Sequence, residues 1–215
     1  MQIAVIGTGN VGSALGGSLA RAGHQVTFAS LDPEKAARVS AEVGGSAAAT
    51  PGAAASGAEV IVLAVPYAAA EALAAELGGT VDGKVVIDAT NPIKADFSGL
   101  TTEGGPSGGE RFAELLPGAR VVKAFNTLFA SVQADPATHG VTADALFATD
   151  DEAARETTAA LIRSLGFRPV DVGPLARARQ LETLALLNMQ MQVQFGGDWR
   201  TAFVMVGAPD AATQR

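Results

Sequence analysis

The sequence predicts an open, mostly parallel, doubly wound α/β sheet with a C-terminal helix, folded as a single domain. Three observations point there. Short apolar runs alternate with longer stretches of helical periodicity along the chain. The first run, Ile3 to Ile6, is apolar throughout, as a strand covered on both faces must be. Gly7, Gly9 and Gly12 follow it at the spacing G-x-G-x-x-G, and a helical stretch follows them.

In order, strands are expected near 2–6, 25–29, 46–49, 59–65, 84–89, 119–124, 144–148 and 167–171, with helices near 11–22, 33–43, 52–56, 67–77, 109–116, 151–165 and 175–195. The second helix has the clearest start: Asp32 as N-cap, Pro33 at the first helical position, then Glu34. Gly78-Gly79 and Asp82-Gly83 punctuate the chain before the fifth strand. Residues 1–174 make up a Rossmann-type dinucleotide-binding unit. Residues 175–215 make a C-terminal helix and tail packed on the same unit.

The glycine turn has a physical logic. Gly7 permits the tight turn. Gly9, without a Cβ, lets a pyrophosphate approach the backbone. Gly12 lets the helix pack closely, and free N–H groups at the helix start face the anion. Thr8, Asn10 and Val11 complete this phosphate-binding loop.

Composition narrows the function. A net charge of −7 argues against a nucleic-acid partner, which needs a basic face. No apolar run reaches membrane-span length. The chain enters a strand at once, so a cytoplasmic protein without a signal peptide is expected. With no cysteine there is no disulfide, thiolate nucleophile or cysteine-bound metal, and no metal-ligand spacing is visible.

After the second strand, Ser30 can donate to a 2′-phosphate. Lys35 and Arg38, three apart on one helix face, offer two positive charges nearby. Asp32 as N-cap points away. NADP(H) is therefore expected ahead of NAD(H), for which Asp32 would be the acid on the ribose hydroxyls. Three strand ends should wall the nicotinamide: Ala64-Val65-Pro66-Tyr67, Ala89 to Asn91, and Asn126-Thr127. The glycine-rich segment from Asn91 to Gly109 reads as a mobile lid over the cofactor.

No catalytic acid–base side chain stands out. His24 reads as structural and His139 is unassigned. Hydride transfer between two stacked rings needs little proton chemistry, only alignment and exclusion of water. In the last helix, Leu181, Leu184, Leu187, Met191 and Phe195 form one apolar stripe, and Leu186, Met189 and Val193 a second. Two stripes need two partners: the parent domain, and either the tail (Phe203 to Val206) or a symmetry mate, which points to a homodimer.

The chain resembles the coenzyme F420-dependent NADP oxidoreductases and, less closely, the oxidoreductase domain of the STEAP metalloreductases. The resemblance rests on Gly7-Thr8-Gly9-Asn10-Val11-Gly12, on Ser30, on Val122 to Asn126, and on Asp171 to Arg179 leading into the last helix. It implies a dimer that passes hydride between NADPH and a flavin-like ring, with Thr8, Ser30 and Lys35 at the 2′-phosphate. Family members often carry an arginine just after the serine. Leu31 stands there in this chain, which leaves Lys35 and Arg38 to supply the charge.

The leading expectation is thus an NADP(H)-dependent oxidoreductase with a small-molecule acceptor: coenzyme F420, FMN or FAD. Two alternatives remain. A carbonyl or imine reductase needs a proton donor in the crevice, with Tyr67, Lys94 and Lys123 as candidates. A non-catalytic NADP(H)-sensing module needs none.

Overall fold

The computed structural model describes residues 1–137 and 140–207. His139 lies outside the described residues. The strands are β1 (Gln2–Ile6), β2 (Gln25–Ala29), β3 (Ser46–Ala47), β4 (Val60–Leu63), β5 (Val85–Asp88), β6 (Arg120–Ala124), β7 (Asp144–Thr149) and β8 (Arg168–Asp171). The helices are α1 (Asn10–Arg21), α2 (Pro33–Val43), α3 (Pro51–Ser56), α4 (Ala70–Leu77), α5 (Gly108–Leu115), α6 (Ala130–Ala134), α7 (Glu152–Ser164) and α8 (Ala178–Phe195).

These form one eight-stranded sheet in the order β3-β2-β1-β4-β5-β6-β7-β8. The expected doubly wound sheet is therefore present. Strand order reverses beside β1, so the crevice opens between the carboxyl ends of β1 and β4. The strands pack helices on both faces. On β4, Val60 and Val62 face one apolar cluster with Leu15, Phe28 and Phe147; Ile61 and Leu63 face the other with Leu73, Phe112 and Ala178. This two-sided burial explains why the central strands read as unbroken apolar runs.

Three details differ from expectation. The predicted helix near 67–77 begins with a 3-10 turn, Tyr67–Ala69, and the last helix with another, Leu175–Arg177. The third strand is only two residues long. Helix α6 was not expected; five residues carry too little periodicity to signal it.

β7 runs antiparallel to β6, and β8 runs parallel to β7. β7 and β8 therefore run opposite to the parallel strands, and α8 follows β8 in the chain. The expected stripe assignment on α8 needs correction. Its buried residues include Leu181, Ala185 and Leu186, but also Glu182, Asn188 and Gln192. The polar three are buried because each has a partner: Lys123, Thr201, and Thr201 with the Trp199 N–H, respectively. Among the described residues, Leu187 and Phe195 of the first stripe are left 48% and 67% exposed, while Leu181 of the same stripe is buried.

Candidate active site

The turn after β1 is built around its glycines. Gly7 has φ +113°, and a Cβ there would lie 2.2 Å from the Ala64 carbonyl oxygen. A Cβ on Gly12 would lie 2.0 Å from the Gly7 carbonyl oxygen. A Cβ on Gly9 would meet nothing within 4 Å, so this backbone faces open space. Asp32, Thr50, Ser107 and Asp151 cap α2, α3, α5 and α7 with side-chain acceptors. α1 has no side-chain cap and no acid in its first turn. Its first N–H groups are left for an external anion, the condition for binding a pyrophosphate.

A cleft of about 400 Å³ lies over this turn. Gly7, Thr8, Gly9, Ser30, Lys35, Ala64, Val65 and Pro66 line it, all expected from sequence. Pro51, Leu73 and Glu76, which were not expected, also line it, and so does Asp32, which was expected to point away. The Ser30 hydroxyl donates to the Asp32 carbonyl at 2.6 Å, and the Asp32 carboxylate accepts from the Lys35 N–H at 3.0 Å as an N-cap. Leu31 is 94% exposed. Arg38 is exposed on α2 and does not line the cleft, because its neighbours Ala36 and Val39 occupy the helix face that packs inward. Gly12 lies buried beneath the turn.

A second recess of about 310 Å³ takes over where the first ends, at Asn10 and Val11. Ala89, Asn91, Asn126 and Thr127 line it, so the ends of β5 and β6 meet here, whereas the end of β4 (Ala64, Val65 and Pro66) lines the first cleft instead. Asn91 Nδ2 donates to the Asn126 carbonyl at 2.8 Å, and Asn126 Nδ2 donates to Asn91 Oδ1 at 3.0 Å. The turn that delivers Asn126 depends on Phe125, fully buried with φ +63°. Gln133 on α6 donates to the carbonyls of Phe125 and Leu128 and pins this turn. Asn126 Oδ1 and Thr127 Oγ1 are buried without a hydrogen-bond partner. Such groups are costly unless something pairs with them, which suits a ligand with polar edges.

The recess also has residues that sequence reasoning missed. Phe97, Phe129, Met189 and Trp199 form its outer wall. Phe97 belongs to the glycine-rich segment. That segment is tied down by an Ile93–Leu100 bridge and by α8: Gln190 Nε2 donates to the Phe97 carbonyl at 2.8 Å, and Arg179 donates to the Gly105 carbonyl.

None of the three candidate proton donors lines either recess. Lys94 is solvent-facing and paired with Glu103. Tyr67 is half-buried, edge-on to Phe112, beside a separate hollow with Arg111. Burial, then the charges of Glu182 and Asp88, hold its phenol above its ordinary pKa. Lys123 is fully buried and engaged by Asp88, Glu182 and the Thr90 carbonyl. His24 bonds Ser164 through Nε2 and is structural, as expected.

Fold, switch-point cleft and uncapped helix start define a dinucleotide-binding α/β protein. Comparison with known proteins narrows this. A model of the family described as NADP oxidoreductase coenzyme F420-dependent matches residues 2–92. The F420-dependent NADP reductase of Methanothermobacter thermautotrophicus is 36% identical over 213 residues, covering 90% of each chain. The crystal structure of a putative F420-dependent NADP reductase from Arthrobacter superposes with a TM-score of 0.87 at 30% identity, over 95% of this chain and 99% of that one. The rat metalloreductase STEAP3 is 30% identical over 86% of this chain, which spans 36% of that longer protein. The chain belongs to the F420-dependent NADP reductase family of oxidoreductases.

Proposed function

We propose that this protein binds NADP(H) in the first cleft and exchanges hydride with a deazaflavin or flavin ring in the second recess. The observation that carries the reading is the junction at Gly9 and Asn10. There a phosphate-ready helix start leads straight into a recess walled by Ala89, Asn91 and Asn126. The α1 N–H groups and Gly9 hold the pyrophosphate. Ser30 and Lys35 meet the 2′-phosphate, with Thr8 beside them. Asn126 and Thr127 offer acceptors to the carboxamide. The nucleotide supplies the hydride at its nicotinamide C4. The protein's part is to align two flat rings and keep water out, which requires no side-chain acid. None of the three candidate donors, Tyr67, Lys94 and Lys123, lines either recess, which favours this over carbonyl or imine reduction.

The test is NADPH oxidation by the purified protein with F420, FMN and FAD offered separately, and NADH in parallel. Rapid oxidation with one acceptor supports the reading. Tight NADPH binding with no oxidation by any of them overturns it.

The working unit we infer is a homodimer joined through the exposed stripe of α8, centred on Leu187, Met191 and Phe195. Light scattering should give twice the chain mass, and Leu187→Glu should return it to one; a monomeric wild type would overturn this.

A further inference from the structure

Trp199, the only tryptophan, sits on the outer wall of the second recess with 39% of its surface exposed. Its backbone is left-handed, φ +59°, which is costly for a bulky residue and needs external support. The support is present. The Trp199 N–H donates to Gln192 Oε1 at 3.0 Å, and the Ser131 hydroxyl donates to its carbonyl. Its ring meets Phe129 edge-on at 5.3 Å and Phe97 at 6.3 Å. Phe97 is left-handed too, at φ +57°, and its carbonyl is held by Gln190. Two strained aromatics from distant segments are thus locked together over the recess, although neither is needed to fill the core.

Among the described residues, the recess lining contains no lysine, arginine or histidine, and Asp198 is its one charged residue. Recognition there cannot rest on pairing an anion with a side-chain cation. It must rest on ring faces, because the buried polar atoms of Asn126 and Thr127 serve the carboxamide.

We propose that Trp199 and Phe97 form an aromatic clamp that selects a planar, multi-ring acceptor and holds it against the nicotinamide, with Trp199 as the specificity-determining residue. This rests on the placement of the acceptor argued above. An aliphatic carbonyl compound has no flat face to fill such a clamp.

Trp199 is its own reporter. The full chain, saturated with NADP+, is titrated with lumiflavin, a neutral three-ring probe without a tail, while tryptophan emission is followed. Saturable quenching is expected, and Phe97→Ala, which keeps the reporter, should weaken it about tenfold. In turnover, Trp199→Ala should raise the acceptor KM about tenfold and Trp199→Phe much less, with the Kd for NADPH unchanged in both. Emission that ignores lumiflavin, or an acceptor KM insensitive to Trp199→Ala, overturns the clamp. If no flavin or deazaflavin oxidises NADPH, the proposed reaction fails, while the lumiflavin titration still decides the clamp.

Discussion

Lys123 Nζ lies 2.7 Å from Asp88 Oδ2, and neither side chain touches solvent. The same ammonium is 2.9 Å from Glu182 Oε1 and 2.8 Å from the Thr90 carbonyl, so all three of its N–H groups are used. It ties the end of β5, the backbone between Ala89 and Asn91, and helix α8 into one unit. The wall of the acceptor recess and the helix carrying Met189 therefore share one anchor.

Removing that ammonium strands two buried carboxylates. Lys123→Met should cost about 3–5 kcal/mol of stability in urea unfolding, as for breaking any buried pair. Glu182→Gln should cost clearly less, since Glu182 Oε2 has no partner and the cluster holds one more acid than base. A loss below about 1 kcal/mol for Lys123→Met would show that the pair is dispensable.

Gly9 and Gly12 should separate binding from folding. A methyl on Gly9 meets nothing in the protein, so Gly9→Ala should melt like the wild type. It should nevertheless weaken NADPH binding roughly 10- to 100-fold, about 1.4–2.8 kcal/mol, because the methyl stands where the pyrophosphate approaches. Gly12→Ala places its methyl 2.0 Å from the Gly7 carbonyl oxygen and should destabilise the fold by about 1–3 kcal/mol. Parallel melts and nucleotide titrations check both, and a Gly9→Ala protein with native affinity would refute the phosphate site.

Nucleotide choice should depend on Lys35 and not on Arg38. Only Lys35 lines the cleft. Lys35→Ala should raise the Kd for NADPH about tenfold, the worth of one charge-assisted hydrogen bond, and leave NADH binding unchanged. Arg38→Ala should change neither by more than about twofold, as expected for an exposed charge. Equal losses for both nucleotides on Lys35→Ala would remove the case for the 2′-phosphate.

Much of this was legible in the sequence because the signals are local. Unbroken apolar runs mark β1, β4 and β5, and the turn after β1 names its own ligand chemistry. Asn91 and Asn126 could be placed because both follow strand ends in a parallel sheet. Trp199, Met189 and Phe97 could not. Met189 and Trp199 reach the recess on α8 and the chain just after it, and Phe97 on the long segment after β5, placements that no local pattern carries. Glu182 could not be placed from the sequence either, since only Lys123 on a distant strand explains its burial.

The start of α5 should make stability depend on pH. The Glu110 carboxylate accepts from the Ser107 N–H at 2.8 Å and the Ser107 hydroxyl at 2.6 Å, while the same hydroxyl accepts from the Glu110 N–H. The bond from the Ser107 hydroxyl, then that from its N–H, holds the Glu110 carboxyl below its ordinary value of 4.5. Because folding lowers this pKa, the unfolded chain binds more protons in the window just below 4.5, and stability there rises with pH. The contribution is complete above that value and is lost as the pH falls through the folded pKa. Glu110→Gln keeps a hydrogen-bonding side chain but cannot ionise, so its difference in stability from the wild type should shrink as the pH drops below 4.5. Ser107→Ala removes the cap itself and should cost about 1 kcal/mol at neutral pH. Urea midpoints for the three proteins between neutral pH and pH 3 check both points. A Glu110→Gln difference that stays constant across that range would mean that the carboxylate charge adds nothing to the cap.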